Sequence, residues 1–231
     1  MNDEPTVVAG LRLRWRTLPG PGGEPAFGLW VLDDPDATLD ALTQEEFDRT
    51  DERMPYFAMI WASAESLVAR VLEEPRLDGR HVLDLGCGLG PCGFAGASKG
   101  ARVTFFDWEP RALEIVAASA SRQQVPIETF DFVVGDWRRP TPLGPFDLIL
   151  GADVLYERRN APAVAAFLAG HLKPGAEAWI ADPGRPQAGP FPTLAGEVGL
   201  ELVSTETLPP REHGAEITLL RLRLGTDRAA P

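Results

Sequence analysis

The chain has 231 residues, of which 44% are hydrophobic, and it carries a formal net charge of -12. This length suits one α/β domain with an N-terminal elaboration and is too short for two full domains. The acidic balance argues against nucleic-acid binding, which usually draws on clustered Lys and Arg, and it suits a basic partner or simply solubility.

The cysteines and the N-terminus narrow the class of protein further. Cys87 and Cys92 are not surrounded by other Cys and His residues at metal-site spacing, so we expect no metal and no disulfide framework. The acidic start MNDEP is unlike a secretion signal, and there is no apolar run of about 18 residues that would predict a membrane span. We therefore expect a soluble, cytoplasmic protein without a membrane partner, most simply a bacterial one.

The first part of the chain predicts strands. Residues 6–16 and 26–32 read as two strands of a β-hairpin across the turn-rich PGPGGEP, and an acidic polar loop follows. Residues 56–74 place apolar side chains on one face of a helix. We therefore divide the chain into an N-terminal hairpin with its acidic loop, residues 1–53, and a main domain, residues 54–231.

From residue 80 onward the sequence alternates between strand and helix patterns. Strands are predicted at 81–85, 102–107, 128–136, 146–153 and 177–183, with helices from 91, over 110–123 and near 158–172. Such alternation predicts a mostly parallel, Rossmann-like sheet covered on both faces, with ligands bound beyond the carboxyl ends of the strands.

The end of the chain breaks this alternation. Residues 200–208 and 215–224 read as two long strands with no helix between them. They predict a terminal hairpin whose last strand runs antiparallel to its neighbours. This ending is typical of a seven-stranded methyltransferase sheet, whereas a dinucleotide-binding domain usually continues with parallel βα units.

The stretch HVLDLGCGLGPCGFAG contains two overlapping glycine signatures. Gly88, Gly90 and Gly93 form G-x-G-x-x-G, as in dinucleotide-binding folds, whereas Asp84 followed by Gly86, Gly88 and Gly90 is typical of S-adenosylmethionine sites. A carboxylate just below the turn is poorly placed beside a pyrophosphate but suits a ligand with an ammonium group. Together with the terminal hairpin, Asp84 therefore favours S-adenosylmethionine over NAD.

Three further residues at predicted strand ends point to an adenosine. A carboxylate at Asp107 can accept hydrogen bonds from both ribose hydroxyls, which serves either cofactor. Asp136 can meet the adenine amino group, and the indole of Trp137 can stack on the ring. For Trp137, simple packing against a helix is the alternative.

In this order and spacing, VLDLGCGLG, FFDWEP, GDW and DLILGADVLYE resemble the seven-β-strand class I methyltransferases. The segment LGADVLYE resembles the methyltransferase-like protein-lysine methyltransferases, whose signature of an acidic residue, two residues and an aromatic would be Asp153 to Tyr156. PYFAMIWASAESLVARVL and IADPGRP look closest to the branch that methylates the β subunit of electron-transfer flavoprotein. The resemblance covers about residues 54–224.

The resemblance implies S-adenosylmethionine as cofactor and a protein with a target lysine as partner, the flavoprotein β subunit being one candidate. The predicted cofactor-binding residues are Trp61, Asp84, Gly86, Cys87, Gly88, Gly90, Asp107, Trp108, Asp136, Trp137 and Ala152. One departure concerns the acceptor side, because that branch tends to have glycines where this chain has Ala62, Ser63 and Ala64 after Trp61.

Asp153 and Tyr156 are the predicted catalytic residues. A lone carboxylate raises the pKa of a lysine amine, so Asp153 is expected to capture and aim the ammonium rather than remove its proton. Tyr156 would form an aromatic wall or donate a hydrogen bond to Asp153. The alternative is that Asp153 caps the following helix. We interpret Asp182 as a turn residue and His213 as an exposed loop residue rather than a base.

Three hypotheses follow from these residues. The first is a protein-lysine N-methyltransferase, and the second is a small-molecule N- or O-methyltransferase on the same scaffold, since a fold does not fix its acceptor. The third is a cofactor-binding module without catalysis.

Overall fold

The computed structural model describes residues 4–40, 55–209 and 216–226, and it contains two sheets. The N-terminal sheet has three antiparallel strands in the order β1-β2-β3. Its strands are β1 (Thr6–Val8), β2 (Leu11–Pro19) and β3 (Pro25–Leu32). The predicted N-terminal hairpin is confirmed in β2 and β3. Its first strand is divided, because Ala9 and Gly10 take positive φ angles and turn the chain.

The N-terminal sheet packs against the main domain. The amide of Trp30 donates to Ser119 Oγ at 3.0 Å, and the amide of Gly28 donates to Gln123 Oε1 at 3.3 Å. Apolar side chains of β2 and β3 share one buried cluster with Phe94 and Phe105 of the main domain. Residues 1–53 stay a predicted division of the sequence, but the described part of them has its core in common with the rest.

The main sheet has seven strands in the order β6-β5-β4-β7-β8-β10-β9. Its strands are β4 (His81–Leu85), β5 (Arg102–Asp107), β6 (Phe130–Val134), β7 (Phe146–Ala152), β8 (Leu172–Asp182), β9 (Leu200–Leu208) and β10 (Ile217–Leu224). Strands β4 to β8 pair in parallel, and β10 lies antiparallel between β8 and β9. The predicted mostly parallel sheet with an antiparallel last strand is confirmed.

The described helices lie between these strands and before them. They are α1 (Pro35–Asp40), α2 (Ala62–Glu73), α3 (Pro91–Ser98), α4 (Pro110–Arg122), α5 (Asn160–His171) and α6 (Phe191–Glu197). Helix α1 was predicted as loop; it begins after Asp34, whose Oδ1 accepts from the amide of Ala37 at 2.9 Å. Helix α6 was also missed.

Helix α2 is shorter than the predicted 56–74. A 3₁₀ turn over Pro55–Ala58 comes first, and Trp61 precedes the helix in an extended conformation. Seven of its twelve residues, on the face toward the core, are buried. Among the described residues, no helix has both the length and the apolar character needed to cross a bilayer.

Gly93, the last glycine of the G-x-G-x-x-G pattern, has a packing role. A Cβ at this position in α3 would lie 2.3 Å from Cε1 of Phe105, which is fully buried on β5. Only glycine lets the helix approach the sheet this closely. Gly93 therefore completes the G-x-G-x-x-G pattern through helix–strand packing rather than through a cofactor contact.

Candidate cofactor and acceptor site

The candidate site lies where the order of the strands reverses. After β4 the chain proceeds outward to β5 and β6, and it then returns to place β7 on the other side of β4. The loops after β4 and β7 therefore diverge at the carboxyl edge and leave a crevice between them, which is where open α/β sheets bind ligands. Most of the predicted site residues lie along this edge.

The glycine loop after β4 is shaped by left-handed backbone. Gly86 and Gly88 have φ angles of +63° and +52°, which side chains rarely adopt. A Cβ on Gly86 would lie 3.0 Å from the ring of Trp137 and 3.2 Å from Val154, and one on Gly88 would lie 2.8 Å from the carbonyl oxygen of Phe57. The backbone of the loop therefore packs directly against the segments that contain Phe57, Trp137 and Val154, with no room for side chains on Gly86 and Gly88.

Asp84 lies beneath this loop and is 2% exposed. Its Oδ2 accepts from the amide of Gly93 at 2.7 Å, so the carboxylate first stabilises the junction between the loop and α3. Burial raises the pKa of Asp84 to about 8. This placement gives Asp84 a structural role, and the predicted contact with a ligand ammonium stays a prediction.

The raised pKa of Asp84 predicts a pH dependence of folding. An acid whose pKa is higher in the folded chain stabilises it most below the unfolded pKa of about 4, and this contribution is lost as pH rises toward 8. Asp84→Asn keeps an acceptor for the Gly93 amide but carries no charge. We expect the wild type to lose up to about 1.4 kcal/mol of unfolding free energy per pH unit relative to Asp84→Asn across this range.

Urea unfolding at pH 5 and pH 8 measures this difference. Asp131→Asn, at a half-buried position on β6, controls for the loss of one negative charge. Parallel pH profiles for the wild type and Asp84→Asn would show that Asp84 is not the buried acid described here.

Asp107 ends β5 and is held by backbone amides. Its Oδ2 accepts from Gly88 at 2.8 Å and its Oδ1 from Glu109 at 3.0 Å, so it links the glycine loop to the loop after β5. Burial raises the pKa of Asp107 to about 6. Each carboxylate oxygen can accept more than one hydrogen bond, which leaves capacity for the predicted ribose hydroxyls. Glu109, which is buried beside Asp107, was not predicted.

Trp137 and Asp136 follow β6. The Trp137 ring lies over Gly86, and its Nε1 is buried without a hydrogen-bond partner. Oδ1 of Asp136 accepts two hydrogen bonds from Arg138, one from its backbone amide and one from Nε, both at 2.9 Å. Trp137 is thus placed at the crevice with a free donor, whereas Asp136 is already engaged by its own loop.

The remaining predicted cofactor residues surround the same crevice. Trp61 donates from Nε1 to the carbonyl oxygen of Tyr56 at 3.2 Å, which folds the segment before α2 onto itself. Trp108 is half-buried in the loop after β5, Ala152 is half-buried at the end of β7, and Gly90 precedes α3 with a φ of +76°.

Cys87 lies in the glycine loop with its thiol buried. Burial raises the pKa of this thiol and of Cys92 well above the ordinary value, and both are free cysteines. Neither side chain is therefore disposed to act as a nucleophile. Within the described ranges, no group of three or more His, Cys, Asp and Glu is placed to hold a metal ion.

Asp153 directly follows β7 and forms an ion pair that the sequence did not reveal. Its Oδ1 and Oδ2 accept from Nε and Nη2 of Arg185 at 2.5 and 2.7 Å, and the Asp153 side chain is 6% exposed. Helix α5 begins only at Asn160, so the alternative that Asp153 caps this helix is wrong. The Asp153 carboxylate is therefore not free, because the guanidinium of Arg185 balances its charge.

Asp182 explains why Arg185 reaches Asp153. Oδ1 of Asp182 accepts from the amides of Gly184 and Arg185 at 2.8 and 2.7 Å, which closes the turn after β8. The turn interpretation of Asp182 is confirmed. The signal for Arg185 was present in ADPGRP, since an Asp-Pro-Gly turn reverses the chain at the edge shared with Asp153.

Tyr156 lies on the rim of the site and is 40% exposed. Its backbone carbonyl accepts from Gln187 Nε2 at 3.2 Å, which ties the loop after β7 to the turn after β8. Partial burial raises the pKa of its phenol, so the hydroxyl stays a donor at neutral pH.

His213 lies outside the described residues. A cavity of about 460 Å³ lined by His81, Thr104 and Phe146 lies at the opposite, amino edge of the sheet.

Comparison with known proteins agrees with this geometry. A family model described as a methyltransferase domain matches residues 82–175. The protein N-lysine methyltransferase METTL21A of Danio rerio is 34% identical over 54% of this chain and 59% of its own length. The electron transfer flavoprotein beta subunit lysine methyltransferase of Xenopus laevis is 29% identical over 71% of this chain and 73% of that protein.

The chain is similar to methyltransferases, and it spans less than two thirds of the length of METTL21A. In fold it resembles the magnesium protoporphyrin IX methyltransferase of Synechocystis with bound S-adenosylmethionine, with a TM-score of 0.59 and 21% identity over 84% of this chain and 99% of that one. A ubiquinone biosynthesis O-methyltransferase of Xanthomonas campestris is also similar, at 28% identity over 75% of this chain and 69% of its own length.

The residues around the crevice fit S-adenosylmethionine. The left-handed glycine loop exposes backbone at the edge of the sheet, Asp107 retains acceptor capacity, and Trp137 offers a buried indole N–H without a protein partner. These groups lie at positions where the sequence predicts contacts to the cofactor, and those contacts stay predictions.

Proposed function

We propose that this chain transfers a methyl group from S-adenosylmethionine to a lysine side chain of a protein. The observation that carries the proposal is the position of Asp153, which leaves β7 at the reversal point beside the glycine loop, three residues before Tyr156. The similarity to two protein-lysine methyltransferases supports it.

A second observation favours a protein acceptor. Three of the large apolar side chains exposed among the described residues are Tyr56, Val134 and Tyr156, at 50%, 54% and 40% exposure. All three belong to segments at the carboxyl edge, around the crevice. Exposed apolar and aromatic groups on a rim are typical of surfaces that contact other proteins. The β subunit of an electron-transfer flavoprotein is our proposed first candidate for that acceptor.

The residues divide the work between holding the cofactor and receiving the acceptor. When bound, S-adenosylmethionine supplies a methyl group on a positively charged sulfur. The glycine loop, Asp107 and Trp137 hold the adenosine side, and Asp153 accepts a hydrogen bond from the acceptor amine and aims its lone pair. Tyr156 and Trp61 cover the approach and exclude water. Positioning of this kind is a large part of the rate gain in displacement reactions.

The acceptor must lose a proton before it reacts. A lysine with a reference pKa of about 10.4 needs on the order of 4 to 5 kcal/mol to be neutral at pH 7. No residue of the described site is a strong base, since Asp153 is ion-paired and the Tyr156 phenol is protonated. The proton therefore leaves to water before the amine closes on Asp153.

Transfer of tritiated methyl groups into bacterial lysate proteins tests the proposal. We expect label in protein bands, including an added recombinant electron-transfer flavoprotein, and a strong loss of label with Asp153→Ala. Label confined to a small metabolite would favour the small-molecule alternative, to which the similarity with an O-methyltransferase points. Tight cofactor binding without any labelling would favour a module without catalysis.

A further inference from the structure

The contact between Asp153 and Arg185 is the most specific polar feature of the acceptor side. Two nitrogens of one guanidinium meet both carboxylate oxygens at 2.5 and 2.7 Å. Such a bidentate pair uses about half of the lone-pair positions of the carboxylate. The remaining positions can still accept a hydrogen bond from an amine.

The turn after β8 fixes the backbone of Arg185. Asp182 binds the amides of Gly184 and Arg185, and Gly184 supplies the left-handed residue of the turn at a φ of +83°. The Arg185 side chain is one-third exposed, whereas that of Asp153 is nearly covered. Arg185 therefore reaches Asp153 from a rigid turn.

We propose that Arg185 is a positioning residue for the amine to be methylated. It holds Asp153 in an ion pair of nearly zero net charge, whose carboxylate can still accept a hydrogen bond from that amine. This inference rests on the proposed function, because it concerns how the same site receives a lysine. It assigns a role to a residue outside the acidic-and-aromatic signature.

The consequence concerns the protonation of the acceptor. A lone carboxylate favours an ammonium, which has no lone pair for the methyl group, whereas a carboxylate paired with a guanidinium attracts the amine without stabilising its charged form. The net charge at the acceptor position thus decides how much neutral amine is present at a given pH.

Other charged groups face this position from the neighbouring segments. Asp182 ends β8, and burial raises the pKa of its carboxyl. Glu157 follows in the loop after β7, and Asp107 and Arg138 act on Tyr156 from the ends of β5 and β6. Among the described contacts of Asp153, Arg185 is the cation in direct hydrogen-bond contact.

The test is the pH profile of methyl transfer at saturating acceptor concentration, from pH 6.5 to 10, with lysate proteins as acceptor and methyl-lysine counted after acid hydrolysis. In Arg185→Gln we expect the rising limb to move up by about one pH unit, which lowers the rate about tenfold on the rising limb and leaves little difference only where the profile has reached its plateau. Arg185→Lys keeps the charge, so its limb should stay in place while the rate falls a few-fold throughout.

The double variant Asp153→Asn with Arg185→Gln separates charge from structure. Its amide oxygen accepts a hydrogen bond without a negative charge, so we expect its profile to return toward that of the wild type. Melting temperature and S-adenosylhomocysteine affinity, measured for every variant, show that the fold and the cofactor site are intact.

Two results would overturn the inference in different ways. A wild type that methylates lysine, with Arg185→Gln slowed equally at every pH, would make Arg185 merely structural while the proposed function stands. A wild type that labels only hydroxyl or carboxyl acceptors would reject the proposed function and this inference with it.

Discussion

Gly88→Ala is expected to weaken S-adenosylhomocysteine binding at least about tenfold. The new methyl group would stand 2.8 Å from the carbonyl oxygen of Phe57, at a φ of +52° that costs a non-glycine residue about 1 to 2 kcal/mol. Relief requires movement of the glycine loop or of the segment before α2. Both line the cofactor crevice, so either movement disturbs the contacts made to the ligand.

Gly96→Ala is the matched control for this substitution. Gly96 lies in α3 of the same motif, and a Cβ there would meet Val82 at 3.7 Å, an ordinary contact. Calorimetry with S-adenosylhomocysteine should find Gly96→Ala at wild-type affinity and at equal or higher thermal stability. Wild-type affinity in Gly88→Ala would contradict the placement of the cofactor on this loop.

Asp153→Ala is expected to lower the rate of methyl transfer by about 100-fold or more while it changes S-adenosylhomocysteine affinity only a few-fold. The substitution removes the group that orients the acceptor, and such positioning is made only in the reacting complex. It also frees Arg185, which can turn into water because its side chain is one-third exposed. The loss should therefore appear in turnover rather than in folding.

Asp147→Ala controls for the loss of an ion-paired aspartate, at the opposite end of β7 from Asp153. Asp147 lies near the amino end of β7 and accepts from Lys173 Nζ with both oxygens at 2.8 Å, far from the crevice. Initial rates with a labelled protein acceptor should stay within a few-fold of the wild type for this variant. Equal losses in Asp147→Ala and Asp153→Ala would mean that general destabilisation, not the acceptor site, explains the effect.

The sheet was predictable because its signals are local. Apolar strands that end at Leu85, Asp107 and Ala152, together with helices that begin at prolines, defined most of the main domain within a few residues. The two overlapping glycine signatures were also separable, because Gly93 is explained by its approach to Phe105. The predictions were wrong where a single turn or helix cap determines the local structure. The turn at Ala9 divides a predicted strand, and the cap at Asp34 begins a helix where a loop was predicted.

The electrostatic state of the site was not predictable in the same way. Asp84 and Asp153 were recognised by position, but one is buried against a backbone amide and the other is paired with Arg185, which lies 32 positions further along the chain. The contact of Phe57 with Gly88 depends likewise on how a segment before α2 folds back. Such long-range partners depend on packing, which periodicity and spacing do not encode.

The chemical identity of the methylated atom decides whether lysine is the acceptor. The measurement is mass spectrometry of proteins labelled by the purified chain with deuterated-methyl S-adenosylmethionine, with fragmentation to locate the label. A label on lysine Nε that is stable to base and absent with Asp153→Ala is the result that we predict. A base-labile methyl ester, or label found only on a small hydroxylated compound, would show that the acceptor is not a lysine.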